Sequence, residues 1–324
     1  MKSILNFGLI GVGSFGIKRA RSIIESANAN LVAIYDNDKI KCKKIADELK
    51  TQVYDENEIF ENSNIDVICI CAPNSFHKDY IKKAIKSNKH IFCEKPLVRN
   101  LKEAEELINF SQNFNKKIQI GSNHRFFESV IFAKKLVDEN TIGDVLSFNG
   151  RIGHNGERLK DSWFWKKAIS GGGTLLDNGC HLLDLSRYFC GSFDSGIGSF
   201  SNSYWKDIEV EDTASAIFKS KEGVTATIFC SWRLLSGYFF FELNGSNGYI
   251  NVDGRFDTHG GDKIYWSKKG DNKILSKDFS HIKPNSYKLE IENFVTTILS
   301  NGNCSPSLKD GFEIMKMISY VYNK

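Results

Sequence analysis

The sequence predicts an α/β protein in two parts: an N-terminal doubly wound parallel sheet, then an α+β domain on an open, mainly antiparallel sheet. Three observations predict it. Residues 4–10 run apolar into a glycine turn, Gly11-Val12-Gly13-Ser14-Phe15-Gly16, and then into helical spacing at Ile17, Ala20, Ile23 and Ile24. Short apolar runs then alternate with helical stretches to residue 121, as in sheets whose parallel strands are joined by crossover helices. Beyond that point strand-like runs follow one another through short turns, as in antiparallel sheets.

Strand, glycine turn and helix match the dinucleotide fingerprint. Gly11 makes the turn, Gly13 lets backbone approach a pyrophosphate, and Gly16 lets helix and strand pack closely, with the helix N-terminus facing the phosphates. A second strand, 31–35, ends at Asp36, twenty residues after Gly16, where a ribose-binding carboxylate belongs. A helix over 39–50, a short strand over 52–54, an apolar strand over 66–71, a helix over 75–88 and a strand over 90–93 continue the alternation. A helix over 101–114 and a strand over 117–121 close the sheet. Two strand ends carry polar turns where ligands of open parallel sheets bind: Ala72-Pro73-Asn74-Ser75-Phe76-His77 and Glu94-Lys95-Pro96. Lys95, between an acid and a proline, has little packing reason to be there.

In the second half, 145–151, 193–205, 213–218, 224–233, 238–243 and 249–252 read as strands, with turn chemistry at Lys221-Glu222-Gly223 and over 244–248. The last helix, 307–322, repeats apolar Leu308, Phe312, Met315 and Ile318 and reads as core. The expected domains are 1–121 and 122–324, with the last helix free to pack back on the first. At the centre lies Gly171-Gly172-Gly173-Thr174 followed by helical spacing, with Leu175, Leu182, Leu185 and Phe189 available for burial. Asp177 and His181, four residues apart, then project from one helical face as a proton-handling pair.

Composition narrows the partners. With 324 residues, 41% hydrophobic and 25% charged, the chain can bury a large core. A formal charge of +4, with Lys and Arg scattered, implies neither nucleic acid nor a membrane surface. No apolar run reaches membrane-spanning length and the N-terminus enters a strand directly, so a cytoplasmic protein is expected. The eight cysteines (42, 69, 71, 93, 180, 190, 230 and 304) contain no CxxC pair, so neither disulfides nor a metal site is expected.

Taken together, Gly11–Gly16, 72–77, Glu94-Lys95-Pro96, and 171–181 followed by Asp184 resemble, in order and approximate spacing, the Gfo/Idh/MocA oxidoreductases over almost the whole chain. The resemblance implies a Rossmann domain and a C-terminal domain whose open sheet forms subunit contacts, giving a homodimer or homotetramer. Phe229, Trp232, Phe239 and Phe241 are the aromatic residues available to such a contact. It further implies that Lys95, Asp177 and His181 meet over a nicotinamide: His181 exchanges the hydroxyl proton, Lys95 hydrogen-bonds the reacting oxygen, and Asp177 orients substrate. The cofactor-binding set is Gly11, Val12, Gly13, Ser14, Phe15, Gly16, Asp36, Ala72, Pro73, Asn74, His77, Glu94 and Lys95, with NAD expected over NADP.

Asn123, Arg125, Arg151, His154 and Trp163 join Asp177 and His181 as candidates to line a polyol pocket; His124, Arg158 and Trp165 lie in the same stretches. The expected activity is hydride transfer between NAD and a secondary alcohol or ketone of a cyclic sugar, polyol or nucleotide sugar. Two other readings stay open: an NAD-using, non-redox glycoside-cleaving enzyme, and a binding or regulatory protein without turnover.

Overall fold

A computed structural model describes residues 3–254 and 262–322. The chain forms two compact units, Met1–Ser122 with Tyr287–Phe312, and Asn123–Ser286 with Glu313–Lys324.

The first unit opens with β1 (Leu5–Ile10), α1 (Ser14–Glu25), β2 (Ala29–Tyr35), α2 (Lys39–Leu49), β3 (Gln52–Val53) and α3 (Glu56–Glu61). It continues with β4 (Val67–Ile70), α4 (Asn74–Lys86), β5 (His90–Cys93), α5 (Leu101–Phe110) and β6 (Ile118–Ile120). All strands pair in parallel, in the order β3-β2-β1-β4-β5-β6. The strand order reverses beside β1, which leaves a crevice at the carboxyl ends of β1 and β4. Helix α3 is an addition to the elements expected from the sequence. The Asp55 side chain accepts from the Asn57 and Glu58 amides while Glu58 takes the Asp55 amide, and this reciprocal cap holds a helix too short to show periodicity.

The second unit carries α6 (Glu128–Asp138), β7 (Val145–Gly153), α7 (Lys167–Ser170) and α8 (Cys180–Cys190). Then come β8 (Ser195–Ser201), β9 (Thr213–Lys219), β10 (Thr225–Ser231), β11 (Tyr238–Gly245), β12 (Gly248–Gly254), β13 (Lys263–Lys268) and β14 (Leu275–Asp278). The sheet order is β14-β13-β12-β11-β7-β10-β9-β8, antiparallel throughout except between β7 and β10. Helix α8 lies on one face: a Cβ at Gly150 would meet Leu182 Cδ2 at 3.0 Å.

Most of the aromatic residues expected at a subunit contact lie elsewhere. Trp232, Phe239 and Phe241 are buried in the chain's own core, and only Phe229 is half-exposed. Strand alternation is the reason, since Phe239 and Phe241 share the buried face while Tyr238 and Phe240 point the other way.

The chain ends with α9 (Ser286–Leu299) and α10 (Leu308–Tyr322). Ile291, Phe294 and Val295 of α9 complete the first unit's core beside Phe7, Val67 and Phe92. Helix α10 starts in the first unit and finishes in the second, with Met315 and Ile318 buried as their spacing predicts.

Candidate active site

The glycine turn after β1 is built for close approach. Gly11 sits at φ +91°, and a Cβ there would lie 2.7 Å from the Cys71 carbonyl oxygen; one at Gly16 would lie 1.9 Å from the Gly11 oxygen. At Gly13, by contrast, a Cβ would meet nothing within 4 Å. Helix α1 begins there without a side-chain cap, so its first amides face the space beside Gly13. Asp36, at the carboxyl end of β2, accepts from the Val12 amide at 2.7 Å and the Asp38 amide at 3.0 Å, which ties the acid to the turn. A cradle of uncapped amides, a glycine with open space above it and an adjacent carboxylate fit a dinucleotide.

The other two turns of this unit join the cradle. His77 is buried, with Nε2 2.8 Å from the Ala72 oxygen and Nδ1 2.9 Å from the Pro96 oxygen. Burial pulls its pKa down, so the neutral ring donates to only one of these carbonyls at a time. It therefore holds the turns after β4 and β5 together, with both ring nitrogens turned to backbone. Asn74, at the start of α4, is buried as well. Lys95 is half-buried, and its Nζ lies 5.9 Å from the Phe15 ring centroid, beside the glycine turn.

Glu94 is committed elsewhere. Its Oε1 accepts from Arg19 Nε at 2.5 Å, and its Oε2 from the Lys95 amide at 3.3 Å. Arg19 is fully buried, its Nη2 is 2.6 Å from Glu290 Oε2, and its guanidinium lies 4.6 Å from the ring centroids of both Phe92 and Tyr287. The Ser122 amide donates to the other Glu290 oxygen at 2.5 Å. Burial pushes the Glu290 carboxyl up to about 7, with Arg19 opposing the shift. Sequence reasoning missed Arg19 and Glu290, because a lone basic residue on a helix and an acid 196 positions from Glu94 (290 − 94) carry no local signal.

In the second unit the three glycines explain themselves. Gly171 caps α7 at φ +87°; a Cβ at Gly172 would lie 2.5 Å from the Tyr322 hydroxyl, and one at Gly173 1.9 Å from the Glu211 oxygen. Glu211 accepts the Gly173 and Leu175 amides on its two carboxylate oxygens, both at 3.0 Å, and the Thr174 amide on its carbonyl at 3.1 Å. The Tyr322 hydroxyl donates to the same carboxylate at 2.6 Å. Burial pushes the Glu211 carboxyl up, while the Tyr322 hydroxyl and the Leu175 and Gly173 amides on the carboxylate draw it back.

The segment that follows is not the α-helix expected over the whole stretch. Leu175–Gly179 is a π-helical turn leading into α8, so Asp177 and His181 are set by a widened turn, not by α-helical spacing. Both are buried, and each has an aromatic neighbour: Trp232 Nε1 donates to Asp177 Oδ2 at 3.2 Å, while the His124 ring stacks on His181 with centroids 3.8 Å apart and planes 6° from parallel.

Of the residues expected to meet substrate, Asn123 donates from Nδ2 to Ser286 Oγ, and Arg125 makes a two-pronged ion pair with Asp184, 2.7 Å from Nε and 2.6 Å from Nη2. His154 accepts the Gly156 amide on Nδ1 at 2.9 Å, which fixes the proton on Nε2 when the ring is neutral. Trp163 stacks on Phe164; the nearby Trp165 instead packs on Trp205, whose Nε1 donates to the Trp232 carbonyl. Arg151 is not brought to this cluster. It is exposed on the sheet face opposite α8, over Phe229 and Tyr238. Among the described residues no group of three His, Cys, Asp or Glu is placed to hold a metal ion, and all eight cysteines are free.

Comparison with known proteins agrees with this layout. Residues 5–122 match the oxidoreductase family with an NAD-binding Rossmann fold, and residues 130–251 match the GFO/IDH/MocA C-terminal domain. The chain is 26% identical over 332 residues to myo-inositol 2-dehydrogenase of Thermotoga maritima, covering 99% of this chain and 96% of that one. It is 26% identical over 256 residues to 2,7-anhydro-N-acetylneuraminate hydratase of Escherichia coli, covering 77% and 68% respectively. The solved structure of a levoglucosan dehydrogenase in complex with NADH shares the fold at a TM-score of 0.89 and 22% identity, covering 98% of this chain and 96% of that one. No described helix is long and apolar enough to cross a membrane. With both halves matched, the chain belongs to the Gfo/Idh/MocA oxidoreductase family.

Proposed function

We propose that this chain is an NAD-dependent oxidoreductase that interconverts a secondary alcohol and a ketone on a cyclic sugar or polyol. The observation that carries the reading is the presence in one chain of a dinucleotide cradle open at Gly13 and a buried Asp177–His181 pair held by aromatic neighbours. NAD, when bound, accepts or returns the hydride. His181 takes the hydroxyl proton, a task suited to an imidazole near neutrality. Lys95 supplies positive charge to the oxygen as alkoxide character develops, and Asp177 accepts a hydrogen bond from a substrate hydroxyl. Relatives named for inositol and levoglucosan support the substrate class.

A second reading has one observation in its favour, the relative named as a hydratase. There NAD would be used without net turnover. The deciding experiment is NADH formation, followed by absorbance, from NAD⁺ with myo-inositol, levoglucosan and D-xylose. Accumulating NADH supports the dehydrogenase; product without NADH supports the non-redox reading; neither, with NAD bound, leaves a binding protein.

We also propose that the sheet face opposite α8 joins two copies of the chain, in a compartment that keeps the free cysteines reduced, the cytoplasm. Ile197 and Ile217 are cross-strand partners 58% and 47% exposed, continuous with Phe229 and Arg151. Ile217→Glu should then lower the mass measured by light scattering, and an unchanged mass would place the contact elsewhere.

A further inference from the structure

His124 lies between an aromatic cage and the reacting histidine. On one side its ring stacks on His181 at 3.8 Å and 6°. On the other it meets Phe127 at 4.4 Å and 30° and the edge of Phe239 at 5.0 Å and 76°. Phe127 and Phe239 in turn pack edge to face at 5.6 Å, and Phe239 is 2% exposed near the start of β11. The plane of His124 is thereby fixed by the sheet core. The turn that carries it, Asn123–Phe126, is clamped to α8 by the Arg125–Asp184 pair, three residues beyond His181 on the same helix. Rotation of the His181 ring about its χ2 would break this face-to-face contact.

We propose that His124 is a positioning residue for His181, setting by stacking the plane in which His181 carries the transferred proton. The proposal rests on the assignment of His181 as proton carrier. Proton transfer needs the ring nitrogen aligned within hydrogen-bond reach of the hydroxyl, and misplacement by about 1 Å costs on the order of 100-fold in rate. A stacked partner restricts that freedom without competing for the nitrogen.

The test uses the full chain with His124→Leu, which fills the cage without an aromatic face, His124→Phe, which restores a flat ring, and His181→Ala. Ring-proton NMR without ligands reads the stack directly, with His181→Ala assigning the signals. The His181 protons should be shielded in the wild type and in His124→Phe, and unshielded in His124→Leu. With the best substrate among myo-inositol, levoglucosan and D-xylose, His124→Leu should lose about 10- to 100-fold in kcat with NAD affinity unchanged, and His124→Phe should recover most of it. Unshielded His181 protons in the wild type would overturn the proposal. So would wild-type turnover in His124→Leu when His181→Ala is dead, or a His124→Phe no better than His124→Leu. A fully active His181→Ala would instead dismiss the proton-carrier assignment, and the positioning role with it, while the NMR stack remained.

Discussion

Trp232 donates from its indole Nε1 to the Asp177 carboxylate at 3.2 Å, and the indole is fully buried while Asp177 is 9% exposed. The bond ties a candidate substrate-orienting acid to the end of β10 through a side chain with two rotatable bonds. Its own position is fixed by Trp205, whose indole donates to the Trp232 carbonyl at 3.1 Å.

Replacing Trp232 by Phe keeps an aromatic body and removes that donor. A hydrogen bond to a buried carboxylate contributes roughly 1.5–3 kcal/mol, and the smaller ring adds a cavity cost. We expect a lower Tm and a raised KM for substrate, with NAD affinity unchanged, because the cradle lies in the other unit. Calorimetry and titration of NAD against intrinsic fluorescence check both; an unchanged KM would remove Trp232 from substrate positioning.

Gly13 and Gly173 separate a ligand-facing glycine from a packing one. A Cβ at Gly13 meets nothing within 4 Å, and its φ of −66° suits alanine, so Gly13→Ala should leave Tm unchanged. If a pyrophosphate passes there, NAD affinity should fall about 10-fold or more, equivalent to ~1.4 kcal/mol. Gly173→Ala places a Cβ 1.9 Å from the Glu211 oxygen and should cost about 1–3 kcal/mol of stability by overpacking. Thermal melts and NAD titration of both variants separate the two effects; a stable Gly173→Ala with normal turnover would show that the Glu211 contact yields.

These residues also show what the sequence makes legible. Gly11, Gly13, Gly16 and Asp36 are a local pattern with one physical purpose, so both the strand–turn–helix and its use can be read from spacing. Alternation likewise gives strands β7 and β9 to β12 to within a few residues. Helices α6 and α9 and strands β13 and β14 are not among the elements expected from the sequence, although α6 and α9 do carry apolar residues at helical spacing. What holds the site came from long range: Glu211 on Gly173, Tyr322 on Glu211, Trp232 on Asp177 and Arg19 between two acids. Single-residue partners tens or hundreds of positions apart leave no periodicity. The π turn at Leu175–Gly179 was illegible for a related reason, since apolar spacing does not distinguish it from an α-helix.

The Arg19 cluster carries a pH signature. Burial raises the Glu290 carboxyl from 4.5 to about 7, and the nearby Glu94 adds to the shift against the pull of Arg19. Between those values the folded chain keeps a proton that the unfolded chain has lost. Stability contributed by this group is therefore full below about pH 4.5 and declines as pH rises to about 7. The integrated loss is on the order of 3 kcal/mol. Glu290→Gln, which mimics the protonated form, should flatten that part of the curve. Melting temperatures of both proteins across this range test it; parallel curves would mean that Glu290 is ionised throughout.

Coenzyme choice rests on Asp36 and on what surrounds it. A 2′-phosphate would bring negative charge to this carboxylate, and the neighbouring side chains are engaged. Asn37 accepts the Tyr35 hydroxyl at 2.6 Å, Glu56 accepts the same hydroxyl at 3.1 Å, and Lys39 Nζ lies 4.6 Å over the Tyr35 ring. Glu56 is in turn ion-paired with Lys83, so that lysine is engaged as well. NAD should therefore bind more tightly than NADP by about 10- to 150-fold, or ~1.4–3 kcal/mol. Asp36→Ser should narrow that gap from both sides, weakening NAD by removing the acceptor for ribose hydroxyls and relieving NADP of repulsion. Because Asp36 also accepts the Val12 amide, the serine variant should lose some order in the glycine turn, so its NAD affinity should fall further than one ribose contact accounts for. Dissociation constants for both coenzymes, measured on both proteins, decide it. Tighter NADP binding by the wild type would remove Asp36 as the selector and point to Lys39 as a phosphate partner.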